Sequence, residues 1–282
     1  MNFKVTLQPS GRSFEVARDE AVLPAAMRQS IGLPYGCRDG ACGSCKSRLL
    51  EGRVIHGAHQ HKALSVAEEE AGWMLTCCAT PQTDLLIEAR TVAGVGEFAV
   101  QKMPCRVSAI ARPAPDVAIL TLQLPANVLL KYHAGQYIEF LLPDGVRRSY
   151  SMANAPHRAA GGLELHLRHL PGGQFTDHVF GAMKEKEILR LEGPFGSFFL
   201  REDSAKPIVL LASGTGFAPI KAIIEHLQFS GSTRPALLYW GCRLEADLYL
   251  HDWALATVAA MPNLRYVPVP SVCASAARRP RG

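Results

Sequence analysis

Tyr35-Gly36-Cys37-Arg38-Asp39-Gly40-Ala41-Cys42-Gly43-Ser44-Cys45 sets three cysteines in a C-x4-C-x2-C array, and Cys77 follows after 31 intervening residues. Three thiolates on one short loop must converge, so the backbone has to curl tightly around whatever they bind. Gly36, Gly40 and Gly43 permit positive φ and close approach. The spacing is that of a [2Fe-2S] cluster held by Cys37, Cys42, Cys45 and Cys77. A four-cysteine zinc site is the alternative, although such sites normally use two C-x2-C knuckles. Cys78 adjoins the fourth ligand and reads as a packed neighbour, because the four spaced thiolates already complete two tetrahedral irons. The same curl can aim amides at the sulfides, and Arg38 adds positive charge beside an anionic cluster.

Outside these two stretches the remaining cysteines, Cys105, Cys242 and Cys273, are scattered. That is no disulfide framework, and it suits a reducing compartment, so a cytoplasmic location is expected. Met1-Asn2-Phe3-Lys4-Val5-Thr6-Leu7 alternates like a strand and lacks the apolar core of a signal peptide. No apolar run approaches the roughly 18 residues of a membrane span. The net charge is +5, but Arg278, Arg279 and Arg281 in the last twelve residues carry three of those charges and leave +2 for the rest. With no basic helix or basic-aromatic stripe, a nucleic-acid partner is not expected.

At 282 residues the chain is too long for one core. Residues 1–95 read as one unit: strands 2–7 and 12–17 around Pro9-Ser10-Gly11, a helix over 21–30, the cysteine loop, short strands around Glu51-Gly52 and a last strand at Leu85-Leu86-Ile87. Thr91 to Gly96 reads as a linker. Residues 101–202 change to short runs at 105–110, 117–124, 136–142, 163–169 and 188–192, the pattern of a small antiparallel β-barrel. Residues 205–270 alternate strand 207–211, helix 217–230, strand 236–239, helix 247–260 and strand 264–267, which implies a parallel sheet. The chain is thus multi-domain, α+β followed by α/β.

Three further motifs stand in this frame. Arg148-Ser149-Tyr150-Ser151 offers a guanidinium that can fork onto phosphate, an aromatic ring that can stack on a flat cofactor, and a hydroxyl. Pro171-Gly172-Gly173-Gln174-Phe175-Thr176 leaves backbone N–H groups open before a helix start, with a hydroxyl at its positive end, while Arg168 closes the strand before it. Ser213-Gly214-Thr215-Gly216-Phe217-Ala218-Pro219 follows a buried strand and opens a helix, presenting amide donors to a pyrophosphate. Taken singly, each also reads as an ordinary strand or turn.

Together with the cysteine loop, these residues make the chain resemble a plant-type ferredoxin of β-grasp fold joined to the ferredoxin-NADP reductase superfamily. The order is that of reductase components of bacterial oxygenases and of CDP-6-deoxy-glucoseen reductases, and the resemblance spans residues 1 to about 269. It implies FAD held by Arg148, Tyr150, Ser151, Arg168, Gly172, Gly173, Gln174 and Thr176, with Tyr150 and Ser151 beside the reacting ring. It also implies NADH held by Gly214, Thr215, Gly216, Pro219 and Arg243, with Arg243 keeping NADPH open. The implied activity passes electrons from NAD(P)H through FAD and [2Fe-2S] to a partner protein, a dehydrase or an oxygenase component. A non-enzymatic electron carrier is the rival.

The resemblance further implies two more strands and a Cys-Gly-x-Pro motif beyond the third strand. Cys273 has no Gly-x-Pro after it, so the nucleotide domain is expected to be partial, 271–282 to be a disordered tail, and reduction by NAD(P)H to be poor. Among the remaining polar residues, His56, His59 and His61 read as a solvated loop, and Glu68-Glu69-Glu70 as the solvated face of a short helix.

Overall fold

A computed structural model of the chain describes residues 2–143 and 145–271. Its contacts divide it into two compact units, one of residues 1–100 with 194–198, the other of 101–193 with the chain from 199 onward.

In the first unit β1 (Asn2–Gln8) and β2 (Ser13–Ala17) form the expected hairpin. Their alternation buries Val5, Leu7, Phe14 and Val16 on one face. Helix α1 (Val22–Arg28) buries Val22, Leu23, Ala25 and Ala26, a one-sided stripe at helical spacing. It ends where Ser30 turns left-handed at φ 56°. After the cysteine loop come β3 (Lys46–Glu51), β4 (Val54–Ile55), α2 (Val66–Glu70), β5 (Trp73–Leu75), β6 (Thr80–Pro81) and β7 (Leu85–Glu88). The main sheet has the order β2-β1-β7-β3-β5, with β1 and β7 parallel. The strands flanking Glu51-Gly52 do not pair with each other: β3 joins the main sheet, while β4 pairs with β6 in a separate two-stranded ladder. Val5, Leu7, Leu23, Met74, Leu75 and Ile87 are almost completely enclosed. Each such side chain contributes roughly 1.5–3 kcal/mol by leaving water.

The second unit opens with β8 (Gln101–Ala114), β9 (Val117–Gln123), β10 (Tyr137–Leu141), β11 (Arg147–Ser151), β12 (Leu163–Arg168), α3 (Gln174–Phe180) and β13 (Ile188–Phe195). Six strands form an antiparallel sheet, β11-β10-β13-β8-β9-β12. A bridge from Met152 to Leu165 joins the exit of β11 to β12 and so closes the sheet into a barrel. Its interior is filled by Val107, Leu120, Ile138, Phe140, Leu165, Leu191 and their neighbours.

The chain then alternates β14 (Ile208–Ser213), α4 (Phe217–Phe229), β15 (Ala236–Cys242), α5 (His251–Ala260) and β16 (Leu264–Pro270), giving a parallel sheet in the order β14-β15-β16. Helix α4 buries residues nearly all round, and Gly231 at φ 64° follows its end. The helix expected over 247–260 is shorter. Asp247 accepts the Leu244 N–H at 3.1 Å and closes a 3-10 turn, so regular helix begins only at His251. The expectation for the tail lies, from residue 272 onward, outside the described residues.

Candidate functional site

The cysteine loop brings its sulfurs together in two pairs. Cys37 N–H donates to Cys42 Sγ at 3.4 Å and Cys42 N–H returns to Cys37 Sγ at 3.3 Å. Cys45 and Cys77 place their sulfurs 3.2 Å apart. Among the described residues no three His, Cys, Asp or Glu side chains converge to hold one ion. The two pairs match the two thiolates that each iron of a two-iron cluster takes. Cys78 Sγ also lies 3.3 Å from Cys77 Sγ, so proximity alone does not separate these neighbours.

The sequence folds this way because the loop must turn left-handed at Arg38 (φ 68°) and Gly40 (φ 77°). A Cβ on Gly40 would stand 2.8 Å from the Ala58 carbonyl oxygen, so no larger residue fits without displacing backbone. On the N-terminal side, Tyr35 N–H donates to Ser197 Oγ and Ser197 Oγ donates back to the Tyr35 carbonyl, both at 2.9 Å. The Arg38 guanidinium lies 3.7 Å from the Phe195 ring centroid. These partners belong to the first unit, and although Gly193 to Phe198 reads as a turn at the barrel exit, nothing in the sequence joins it to the cysteine loop.

The sulfurs differ in setting. Cys45 is buried and Cys42 exposed. Burial pushes the Cys37 thiol up to about 11. It also pushes Cys42 up, but the amides of Cys37 and Ser44 and the Ser44 hydroxyl outweigh it and hold that thiol below its ordinary value. Amides aimed at a sulfur stabilise its negative charge, as a thiolate-bound cluster requires.

Around the loop one sequence expectation needs correction, that for His59, while α2 is the expected short helix and buries none of its residues. His59 is not merely solvated: its Nδ1 lies 2.7 Å from the Gly57 carbonyl and its Nε2 2.9 Å from Glu69. Glu68 reaches Lys46 and, with Ser65, forms a capping box at the start of α2, so two of the three glutamates have partners.

On the barrel, Tyr150 and Phe175 bring the second and third motifs together, with ring centroids 5.6 Å apart and Phe140 tilted against both. Burial raises the Tyr150 hydroxyl to about 12, so the ring stays neutral. Arg148 donates to the Arg147 carbonyl at 2.9 Å, and Ser151 ends the strand in register with Tyr137. Beside them opens a cavity of about 730 Å³ lined by Phe140, Arg147, Gln174, Phe175 and Arg190 among others. Arg147 was not singled out from the sequence, yet it bridges Glu139 at 2.8 Å and Glu192.

The Thr176 hydroxyl at the helix start turns into its own loop. It donates to the Leu170 carbonyl at 2.9 Å and accepts from Leu170 N–H at 3.3 Å. The residue is only 8% exposed. Asp177 accepts from Gly172 N–H at 3.0 Å. The pair clamps the Pro171–Gly173 loop from within, leaving Gly173 as the residue before the helix.

At the nucleotide loop Gly214 adopts φ 51°, and its carbonyl accepts from the Trp240 indole at 3.1 Å. Trp240 in turn stacks on Phe217 at 3.7 Å between centroids. Arg168, at the end of β12, approaches Gly214 closely and pairs with Asp116 at 3.0 Å. Thr215 is half-buried and Gly216 exposed, and Pro219 sits in the first turn of α4. Arg243 stands at the end of β15, largely exposed, with its Nε 3.3 Å from Asp247. No helix among the described residues is long and apolar enough to cross a membrane.

The family descriptions that match are a 2Fe-2S iron-sulfur cluster binding domain over residues 5–82, an oxidoreductase FAD-binding domain over 104–200 and an oxidoreductase NAD-binding domain over 210–281. Fold, motifs and matches define an iron-sulfur flavoprotein oxidoreductase that uses [2Fe-2S], FAD and NAD(P)H. The chain belongs to the family of such reductases that pass electrons to partner enzymes. It is 38% identical over 274 residues to the CDP-6-deoxy-L-threo-D-glycero-4-hexulose-3-dehydrase reductase of Yersinia pseudotuberculosis, covering 96% of this chain and 80% of that one. It is 37% identical to reductase component 2 of a Comamonas terephthalate 1,2-dioxygenase, covering 95% and 78%. The crystal structure of the Amycolatopsis cytochrome P450 reductase GcoB superposes with a TM-score of 0.72 at 33% identity, covering 95% and 80%.

Proposed function

We propose that this chain takes reducing equivalents from NADH and delivers single electrons to a sugar-nucleotide dehydrase. Residues 1–95 would carry the cluster, 101–202 the flavin and 205–270 the nucleotide. Flavin supplies the conversion between two-electron and one-electron transfer. The approach of Arg168 to Gly214 carries the reading, because it sets the end of a barrel strand against the loop whose amides can face a pyrophosphate.

In this reading Cys37, Cys42, Cys45 and Cys77 ligate the irons. Tyr150 offers its ring face and Ser151 its hydroxyl to the flavin, Arg148 and Arg168 neutralise phosphate, and Gly172, Gly173 and Gln174 supply backbone around it. Thr176 acts one step back, by holding that loop in shape. Gly214, Thr215, Gly216 and Pro219 receive the nucleotide phosphates, with Arg243 at the adenosine side. The dehydrase is favoured by the 38% identity to a dehydrase reductase, and an oxygenase component is the second reading, from the dioxygenase relative. The clustered cysteines favour a reducing, cytoplasmic setting.

Visible spectroscopy tests this directly. NADH should bleach the flavin and iron-sulfur bands of the purified protein, at the low rate that the sequence leads one to expect, and adding the dehydrase with its substrate should restore them. Bands that dithionite bleaches but NADH does not would reduce the chain to an electron carrier. Restoration only by an oxygenase component would replace the partner.

A further inference from the structure

A buried chain of polar groups joins the barrel to helix α4, and none of the motifs contains it. Lys221 Nζ reaches Glu225 at 2.8 Å, Glu164 at 3.1 Å and the Ala153 carbonyl at 3.2 Å, which occupies all three of its protons. Glu225 also accepts the Ala155 N–H at 2.9 Å and pairs with Arg158 at 3.1 Å. Glu164 lies 2.7 Å from His166 Nε2, and His166 Nδ1 lies 2.8 Å from the Tyr249 hydroxyl. Because an ionised carboxylate only accepts, Nε2 carries the imidazole proton and Nδ1 accepts from Tyr249.

The side chains of Lys221 and Glu225 are 6% and 3% exposed, and that of His166 is fully enclosed. With His166 neutral, two cations face two carboxylates. Burial pushes the His166 ring below its ordinary value and favours this state. Hydrophobic residues of similar volume would commonly hold such an interface as well or better, so stability alone explains little of this arrangement. Its placement is more informative. Ala153 lies two residues beyond Ser151, His166 two residues before Arg168, and Lys221 two residues beyond Pro219. One network thus grips the chain beside the Tyr150–Ser151 strand end, beside Arg168 and beside the Gly214–Pro219 loop.

We propose that Lys221 is a positioning residue for hydride transfer, holding the start of α4, and with it the Gly214–Pro219 loop, in register with the Tyr150–Ser151 strand end through Glu164, Glu225 and the Ala153 carbonyl. The inference rests on the reading of those motifs as flavin and nucleotide sites. Directional bonds of fixed length set this register where apolar packing could slide, and a misplacement of about 1 Å between reacting groups can cost about 100-fold in rate.

The test compares wild type, Lys221→Met, Glu164→Gln and the double variant as flavin- and cluster-loaded protein. In Lys221→Met the limiting rate of flavin reduction by NADH, per bound flavin, should fall about 10- to 100-fold while the NADH dissociation constant moves less than about 2-fold. Without NADH, amide exchange should quicken in the Gly214–Pro219 peptide but not in the barrel strands. Glu164→Gln, which keeps shape and is less prone to misfold, should show the same pattern more weakly. The double variant balances the buried charges again, so its thermal stability should recover while its rate stays low. A Lys221→Met rate within about 2-fold of wild type, or a rate that recovers together with stability in the double variant, overturns the proposal. If dithionite but not NADH reduces the wild type, the functional reading fails instead. Exchange at the loop then decides, with local quickening supporting the positioning role and unchanged exchange overturning it.

Discussion

The guanidinium of Arg168 closes on Gly214 so tightly that a Cβ at residue 214 would stand 2.9 Å from Nη1. The same residue holds φ 51°, so sterics and backbone both select glycine. Gly214→Ala should therefore cost about 1–2 kcal/mol in stability from the left-handed backbone alone and weaken NADH binding. Gly216→Ala is the control for stability alone, since its φ is −59° and no protein atom crowds the added methyl. Thermal denaturation of both variants and nucleotide titration of Gly214→Ala check this, and equal losses of stability at the two positions would be inconsistent with it.

Cys42→Ser should disturb the [2Fe-2S] absorption and electron paramagnetic resonance signal, whereas Cys78→Ser should leave both unchanged. The 3.3 Å approach of Cys78 to Cys77 makes this comparison informative. A normal spectrum in the Cys42 variant, or a loss confined to the Cys78 variant, would reassign the ligands.

Thr176→Val keeps the shape but leaves the Leu170 amide and carbonyl without their side-chain partner. A loss of about 1–3 kcal/mol is expected, together with faster flavin release, while Thr176→Ser should retain most of the wild-type behaviour. Differential scanning fluorimetry and flavin retention on gel filtration measure the two effects. Flavin loss in both variants with no change in stability would mean that the hydroxyl meets the cofactor itself.

Lys46, then the Ser65 amide, holds the Glu68 carboxyl down to about 2. Its unfolded value is about 4.3, so the stabilisation it brings is fully present above that pH and is lost as pH falls towards 2. Urea midpoints of the cluster-free protein should fall with acid across this window, and Glu68→Gln should reduce the slope there. An identical slope in the variant would remove Glu68 from the acid response.

Spacing made the cluster legible, because four thiolates on two irons leave a local signature in the chain. The barrel and the parallel sheet were legible from period and punctuation, down to the helix Phe217–Phe229. What could not be read were pairings between distant residues. Nothing near Val54 says that it will pair with Pro81 instead of with β3. His166 and Tyr249 are separated by 83 positions, and no local rule joins them. Thr176 shows a subtler limit, since the motif marks a hydroxyl at a helix start but not whether it faces a ligand or its own loop. Lys221 and Glu225 did leave a trace, a charged pair four apart in a helix otherwise apolar enough to be buried.

Trp240 gives the nucleotide loop a voice of its own. The indole is completely enclosed, stacked on Phe217 and bonded to the Gly214 carbonyl. Trp253 meets the edge of the same Phe217 ring at 5.7 Å, but among the contacts described only Trp240 of the three tryptophans bonds the backbone of that loop, so any shift of the loop on meeting a dinucleotide alters above all the polarity felt by this chromophore. Its ultraviolet emission should therefore report loop occupancy in the oxidised protein before any electron moves, an optical readout of binding that needs no label and no turnover.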